Sequence, residues 1–293
     1  MNYLPSLMLT LTLLAAPACA AAEAYEPDAS PPPAAASTPD ADASVEEWLD
    51  AIEARSADLD TLRGQVAYLR VQRLLGDRQT RYGTLVYDAG PPTRFDAHFD
   101  RIAVLDRIEE QDHRFTFDGR WLAERLADRR QFILRELVPA DQVGENLLRL
   151  GQGPFAIPLD LKRDTVLERF EVELVDIEPA AAAEGEAGEQ AGDAFAEAHH
   201  GVPPVDVDGT VRLRLTPREG VEIDQSRIEL WYDRELLLPV RVYTVDEENE
   251  TESVISLGRF ETGVEVDEAQ FSVEPPDEPG WQIERRLLED EQG

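Results

Sequence analysis

The chain has 293 residues, room for about two domains of average size or one large all-β domain. Hydrophobic residues at 42% and charged residues at 30% exclude a wholly disordered chain and a multi-pass membrane protein. Sixty-one Asp and Glu against 28 Lys and Arg give a net charge of −33, and no stretch interleaves basic residues with aromatic platforms, which excludes nucleic-acid binding.

Leu7 to Ala16 is an apolar run too short to span a bilayer, and small residues follow it. Residues 1–20 therefore form a secretory signal peptide, and the expected location is the periplasm. Two endings are open. Ala18-Cys19-Ala20 is a cleavage site before Ala21, whereas Ala16-Pro17-Ala18-Cys19 resembles a lipobox in which Cys19 becomes lipidated and anchors the chain to a membrane. Cys19 is the sole cysteine, so the first route leaves no disulfide, thiolate metal site or cysteine nucleophile.

Residues 21–44 hold nine alanines, five prolines and five acids without a basic residue, a composition expected to remain a disordered spacer. Ser44-Val45-Glu46-Glu47 is a capping box that opens a helix to about Asp58, with Trp48, Leu49 and Ile52 as its apolar stripe. From Leu62 the hydrophobic period changes to two, and Gly, Pro or Asp separates successive runs. Strands are predicted at 64–74, 79–87, 93–99, 101–111, 114–117, 121–126, 131–138, 170–177, 210–217, 223–232, 237–246, 252–261 and 271–273. Asp118-Gly119 has the chemistry of a type I′ hairpin turn and Asp233-Arg234-Glu235 a tight link, so the topology is an antiparallel meander.

Two stretches interrupt it. Residues 139–150 have helical spacing and run into a Gly- and Pro-rich apolar segment at 151–159, after which 161–169 reads as a second helix. Residues 178–208 carry eight acids, nine alanines and no Arg or Lys, and are expected to form a disordered acidic insertion. One domain over residues 45–283 results, followed by a tail at 284–293.

Catalytic constellations are missing from the pattern, so the chain reads as a non-enzyme without cofactor or metal. His199 and His200 are adjacent, which is the wrong spacing for a helical metal motif, and Asp206-Val207-Asp208-Gly209 lacks the remaining ligands of a calcium loop. Glu109-Glu110 and Glu247-Glu248 are sequence neighbours, which a strand points to opposite faces. Large side chains at alternate positions offer two readings: an ordinary core, or the lining of a hollow, because more than about ten strands must curl and few helices are available to fill the interior.

Several segments, taken in order, resemble the LolA family of periplasmic lipoprotein carriers. They are 59–66; 83–87 with Pro91, Pro92, Arg94 and Phe95; Phe117-Asp118-Gly119-Arg120-Trp121-Leu122; Gly153-Pro154-Phe155; 212–218; and 271–276. The resemblance implies an incomplete antiparallel β-barrel, mainly β with some α, whose helical lid covers the concave face. It also implies acyl-chain binding, a monomer, an inner-membrane lipoprotein-releasing transporter as donor and an outer-membrane acceptor. The expected lining is Leu85, Tyr87, Phe95, Phe99, Phe115, Phe117, Trp121, Ile133, Phe155, Ile157, Leu230 and Val242, with Trp48, Leu49 and Ile52 beneath the lid. The alternative role is an envelope sensor or regulatory module that uses the same half-barrel to recognise a lipidated or misfolded partner.

Overall fold

The computed structural model describes residues 38–40, 42–104, 107–140, 143, 157–175, 209–221, 223, 225–246 and 250–288. The expected leader, most of the spacer, Cys19, the helix at 139–150 apart from Pro139, Ala140 and Val143, Phe155 and the insertion at 178–208 lie outside these residues.

Helix α1 spans Val45–Ala57 and starts at the capping box expected of it. Glu47 Oε2 accepts from the Ser44 amide at 2.7 Å, while Ser44 Oγ accepts from the Glu47 amide at 3.3 Å. Six strands follow in a meander: β1 (Thr61–Gln72), β2 (Asp77–Asp88), β3 (Arg94–Val104), β4 (Arg107–Phe117), β5 (Trp121–Leu126) and β6 (Gln131–Glu136). After helix α2 (Arg163–Arg169) a second meander runs through β7 (Phe170–Leu174), β8 (Thr210–Pro217), β9 (Gln225–Asp233), β10 (Pro239–Asp246) and β11 (Thr251–Thr262). Pairing of β1 with β11 joins the two into one sheet of order β12-β6-β5-β4-β3-β2-β1-β11-β10-β9-β8-β7, with β12 (Gln282–Arg286) lying parallel to β6. The sheet is open: β12 and β7 are its edges.

Its curvature follows from what covers it. Nine strands, from β4 to β7, would spread over about 38 Å if flat, whereas the 13 residues of α1 extend about 20 Å. Yet the inward side chains of these strands are almost fully buried in one cluster with those of α1, α2 and residues 159–161, as only a curled sheet allows.

Four expectations change in detail. The strands predicted at 93–99, 101–111 and 114–117 are two long strands, β3 and β4, because an irregularity around Asp100 breaks the alternation in mid-strand and imitates a strand end. At the same place β2 approaches β3 so closely that a Cβ on Gly83 would sit 1.9 Å from the His98 carbonyl oxygen. The Asp118-Gly119 turn is not type I′, since Gly119 has φ 102° but Asp118 does not take a positive φ. Asp118 Oδ1 instead accepts from the amides of Arg120 and Trp121 at 2.9 and 2.7 Å.

The third change concerns 271–273, which form no strand. Residues Glu268–Phe271 make a 3₁₀ turn capped by Asp267, and Phe271 is buried with the Arg94 guanidinium 4.8 Å above its ring. Finally, the expected domain end at 283 falls inside β12, whose five exposed and mostly polar residues carry no apolar alternation to announce a strand.

Candidate functional site: a lidded concave face

Register assigns each side chain to a face. Leu62, Gly64, Val66 and Tyr68 on β1 stand opposite Tyr87, Leu85, Gly83 and Arg81 on β2. Tyr87, Leu85 and Gly83 stand opposite Phe95, Ala97 and Phe99, which in turn oppose Phe117, Phe115 and His113. In the second meander Ile255, Val242, Leu230 and Leu213 lie in line across β11, β10, β9 and β8. Because directly paired residues share a face, these rows make one inward surface. Phe95 and Phe117 stack with centroids 5.7 Å apart, and Phe99 meets Phe115 edge to face at 6.3 Å.

The lid lies directly on this surface. Trp48, Leu49 and Ile52 of α1 are 0–1% exposed and belong to the same cluster as Leu85, Phe99 and Leu230. Leu159, Leu161 and Val166 cover it beside them. Tyr232, fully buried beneath the lid, donates its hydroxyl to the Pro158 carbonyl at 3.1 Å, and burial pushes its pKa well up. Tyr87 is raised in the same direction, by burial and then by the Asp160 carboxylate.

The two lid helices are coupled by charge. Lys162, the residue before α2, offers its helix no side-chain cap. Glu53 of α1 supplies one instead, accepting the Arg163 amide at 2.9 Å, while Arg163 Nε lies 3.3 Å from Asp50 and Lys162 Nζ 3.3 Å from Asp160. A helix cap is worth about 1 kcal/mol. Glu53→Ala is therefore expected to speed the opening of the lid about fivefold with little loss of global stability. Hydrogen exchange at the amides of 163–169 measures this; protection equal to wild type would show that the cap does not couple the helices.

The sequence-predicted lining divides as follows. Leu85, Tyr87, Phe95, Phe99, Phe115, Phe117, Leu230 and Val242 meet in the inner cluster together with Trp48, Leu49 and Ile52, and Ile157 is partly buried against it. Ile133 shares the inner face, since it pairs with Glu124 and Glu124 with Phe115, but it stands outside the cluster beside that carboxylate. Trp121 corrects the expectation. The three-residue turn at 118–120 sets Leu122, not Trp121, opposite Phe117, so Trp121 points to the outer face. Its ring is covered there by the guanidinium groups of Arg285 at 4.4 Å and Arg120 at 5.1 Å. Leu62, Val66, Leu213, Tyr232 and Phe170 also belong to the inner cluster and were not expected, although Tyr232 lies two positions from Leu230 on the same strand and so shares its face.

Toward the far end of β1, β2, β4 and β5 the inner face becomes polar. His113, packed 4.6 Å from the Phe115 ring, has Nε2 3.1 Å from Glu124 Oε1, and Arg135 donates to Glu124 Oε2 at 2.9 Å. Burial alone would raise the Glu124 carboxyl, but these hydrogen bonds outweigh it and hold it below the usual carboxylate range. On the outer face Asp96 shows the opposite balance. Burial raises it despite Thr116 at 2.9 Å, Gln270 at 3.3 Å and the nearby Arg114.

No family model matches the sequence, and no curated protein matches it. Among solved structures the chain is similar to an uncharacterized conserved protein from Thermus thermophilus, with a TM-score of 0.43 and 13% identity, covering 83% of this chain and 100% of that one. It is also similar to MucB, known in a Pseudomonas aeruginosa complex with MucA; the match to MucB has a TM-score of 0.37 and 16% identity over 77% of this chain, and spans only 61% of MucB. A LolA superfamily protein from Nitrosomonas europaea matches with a TM-score of 0.32 and 12% identity, over 76% of this chain and 97% of that one. The structural neighbours thus include LolA superfamily proteins. Among the described residues no helix is long and apolar enough to cross a membrane.

Proposed function

We propose that this protein is a non-enzymatic binding module of the cell envelope that shelters the acyl chains of lipidated proteins or similar amphiphiles beneath its lid. The observation that carries this reading is the continuous apolar inner face of an open sheet, covered by two short helices rather than by a second sheet. Each methylene moved from water into such a surroundings is worth about 0.8 kcal/mol, so even a loosely seated chain gains enough to remain bound. Entry requires the lid to lift, because its side chains occupy the position the guest would take. The strand pairing of the sheet stays intact during this step, since neither lid helix is paired with a strand.

The test is lipid extraction and mass spectrometry on protein purified from its own envelope, followed by titration with a fluorescent fatty acid. Co-purifying acyl chains and saturable, one-site binding are expected. Protein that carries no lipid and fails to bind the probe would overturn the reading. Carrier and sensor roles are separated by deleting the gene: a carrier predicts lipoproteins retained at the inner membrane, a sensor predicts altered stress signalling with normal sorting.

A further inference from the structure

The polar end of the inner face holds a group that the acyl-binding reading leaves unused. Along β2 the inward positions pass from Tyr87 through Leu85 and Gly83 to Arg81, about 20 Å, and along β1 from Leu62 through Val66 to Tyr68 and Arg70. The same strands thus offer hydrocarbon at the lid end and cations at the other. Arg81 is only partly exposed. Its Nη2 donates to Gln79 Oε1 at 3.0 Å, but its Nε is buried from solvent and has no hydrogen-bond partner among the described residues. By register the Arg81 side chain stands on the inner face opposite Tyr68, and a guanidinium with an unused donor there is shaped to be completed by an oxyanion. Burial lowers the Arg81 pKa, the like charges of Arg70 and Arg129 add to this, and Tyr68 and Glu124 offset it in part. Arg70 and Arg129 are exposed, so they add positive charge where a headgroup would enter.

We propose that Arg81, supported by Arg70 and Arg129, is a headgroup site that receives the anionic oxygen group, phosphate or carboxylate, of an amphiphile whose tail lies under the lid. This rests on the acyl-binding reading and narrows it: the preferred guest carries a negative headgroup. On a chain with a net charge of −33 such a guest is repelled at long range, so its selection depends on the local fork of donors and not on overall attraction.

The experiment compares 1-oleoyl lysophosphatidate with 1-monooleoylglycerol, which share one acyl chain, by calorimetric titration of the wild-type protein, Arg81→Gln and Arg81→Lys. The wild type is expected to bind the phosphate lipid about tenfold more tightly than the neutral one, the margin of a charge-assisted fork. Arg81→Gln reduces the phosphate lipid to the level of the neutral one and leaves monooleoylglycerol unchanged, and Arg81→Lys recovers part of the difference. Arg81 makes a single side-chain hydrogen bond among the described residues, so unchanged binding of the neutral lipid serves as the check on folding. Inorganic phosphate is the third arm, and it should compete only at far higher concentration. Equal affinity for both lipids, or a preference that survives Arg81→Gln, overturns the headgroup site alone. Phosphate binding as tight as that of the lipid overturns it in favour of a free-anion site, and failure to bind either lipid overturns the acyl-binding reading together with it.

Discussion

Replacing Glu229 with alanine is expected to lower the unfolding free energy by about 3 kcal/mol and the melting midpoint by roughly 6–12 °C. Glu229 lies on the outer face, 2% exposed, at the centre of β8, β9 and β10. Arg212 donates to Oε2 through Nε at 2.9 Å and through a second, shorter contact from Nη2. Arg214 donates to Oε1 at 3.1 Å, and Arg227 Nε lies 3.6 Å from the same oxygen. Removing the carboxylate leaves three guanidinium groups facing one another. Their side chains are 25%, 33% and 43% exposed and can turn toward water, which places the loss at the lower end of the range for a broken buried pair.

The pH dependence of this loss has a definite sign. Burial pushes the Glu229 carboxyl up, but the hydrogen bonds from Arg212 and Arg214 outweigh it and hold the carboxyl below its ordinary value of 4.5. A depressed carboxyl contributes its stability in full above the unfolded value and loses it as the pH falls through the folded one. The difference between wild type and Glu229→Ala should thus be constant near neutrality and shrink below about pH 4.5. Thermal melts of both proteins from pH 7 to pH 3 measure it. A difference that grows on acidification would show that the carboxylate does not hold the arginines together.

The second large effect concerns the inner face. Leu85→Glu is expected to abolish acyl-chain binding by abolishing the fold. Leu85 is 0% exposed, pairs with Gly64 and Ala97, and packs in the cluster that includes the lid. The substitution discards about 2 kcal/mol of burial and places a carboxylate inside a cluster of apolar side chains, a total on the order of the stability of a typical domain. Leu85→Ala, by contrast, costs about 3 kcal/mol and leaves a folded protein that still takes up a fluorescent fatty acid. Circular dichroism and probe binding on the two variants distinguish the cases. A Leu85→Glu protein that melts cooperatively at the wild-type temperature would mean that the face is hollow there even with the lid closed.

That experiment bears on the choice the sequence left open between a packed core and a lined hollow. The lid and sheet side chains meet in one cluster, so with the lid closed they bury one another, and a guest must displace Trp48, Leu49 and Ile52. A binding face of this kind gains its capacity by opening. The coupling of the lid helices through Glu53 is accordingly where exchange kinetics should respond, and the sheet is where stability should respond.

What could be read directly from the chain was local. The capping box placed the start of α1, because two side chains and two amides within four residues decide it. Strands β5 and β8 were legible to the residue, since both are short runs bounded by turn chemistry and β8 alternates from Val211 onward. The aromatic positions of β2, β3 and β4 were legible as sharing one face for the same reason. Tertiary structure decided everything that depends on which strand lies beside which. Alternation defines two faces of β5 but does not say which is inner; the turn at 118–120 and its register with Phe117 turned Leu122 inward and Trp121 outward. The pairing of β1 with β11, close to 190 residues apart in the chain, made two meanders one sheet. It takes the curled, paired strands to bring Arg212, Arg214 and Arg227 around Glu229, and to leave the Nε of Arg81, at the polar end of a greasy surface, without a hydrogen-bond partner among the described residues. Side-chain chemistry within a few residues is set by the covalent chain, whereas convergence of distant charges depends on register, and register is a property of the assembled sheet.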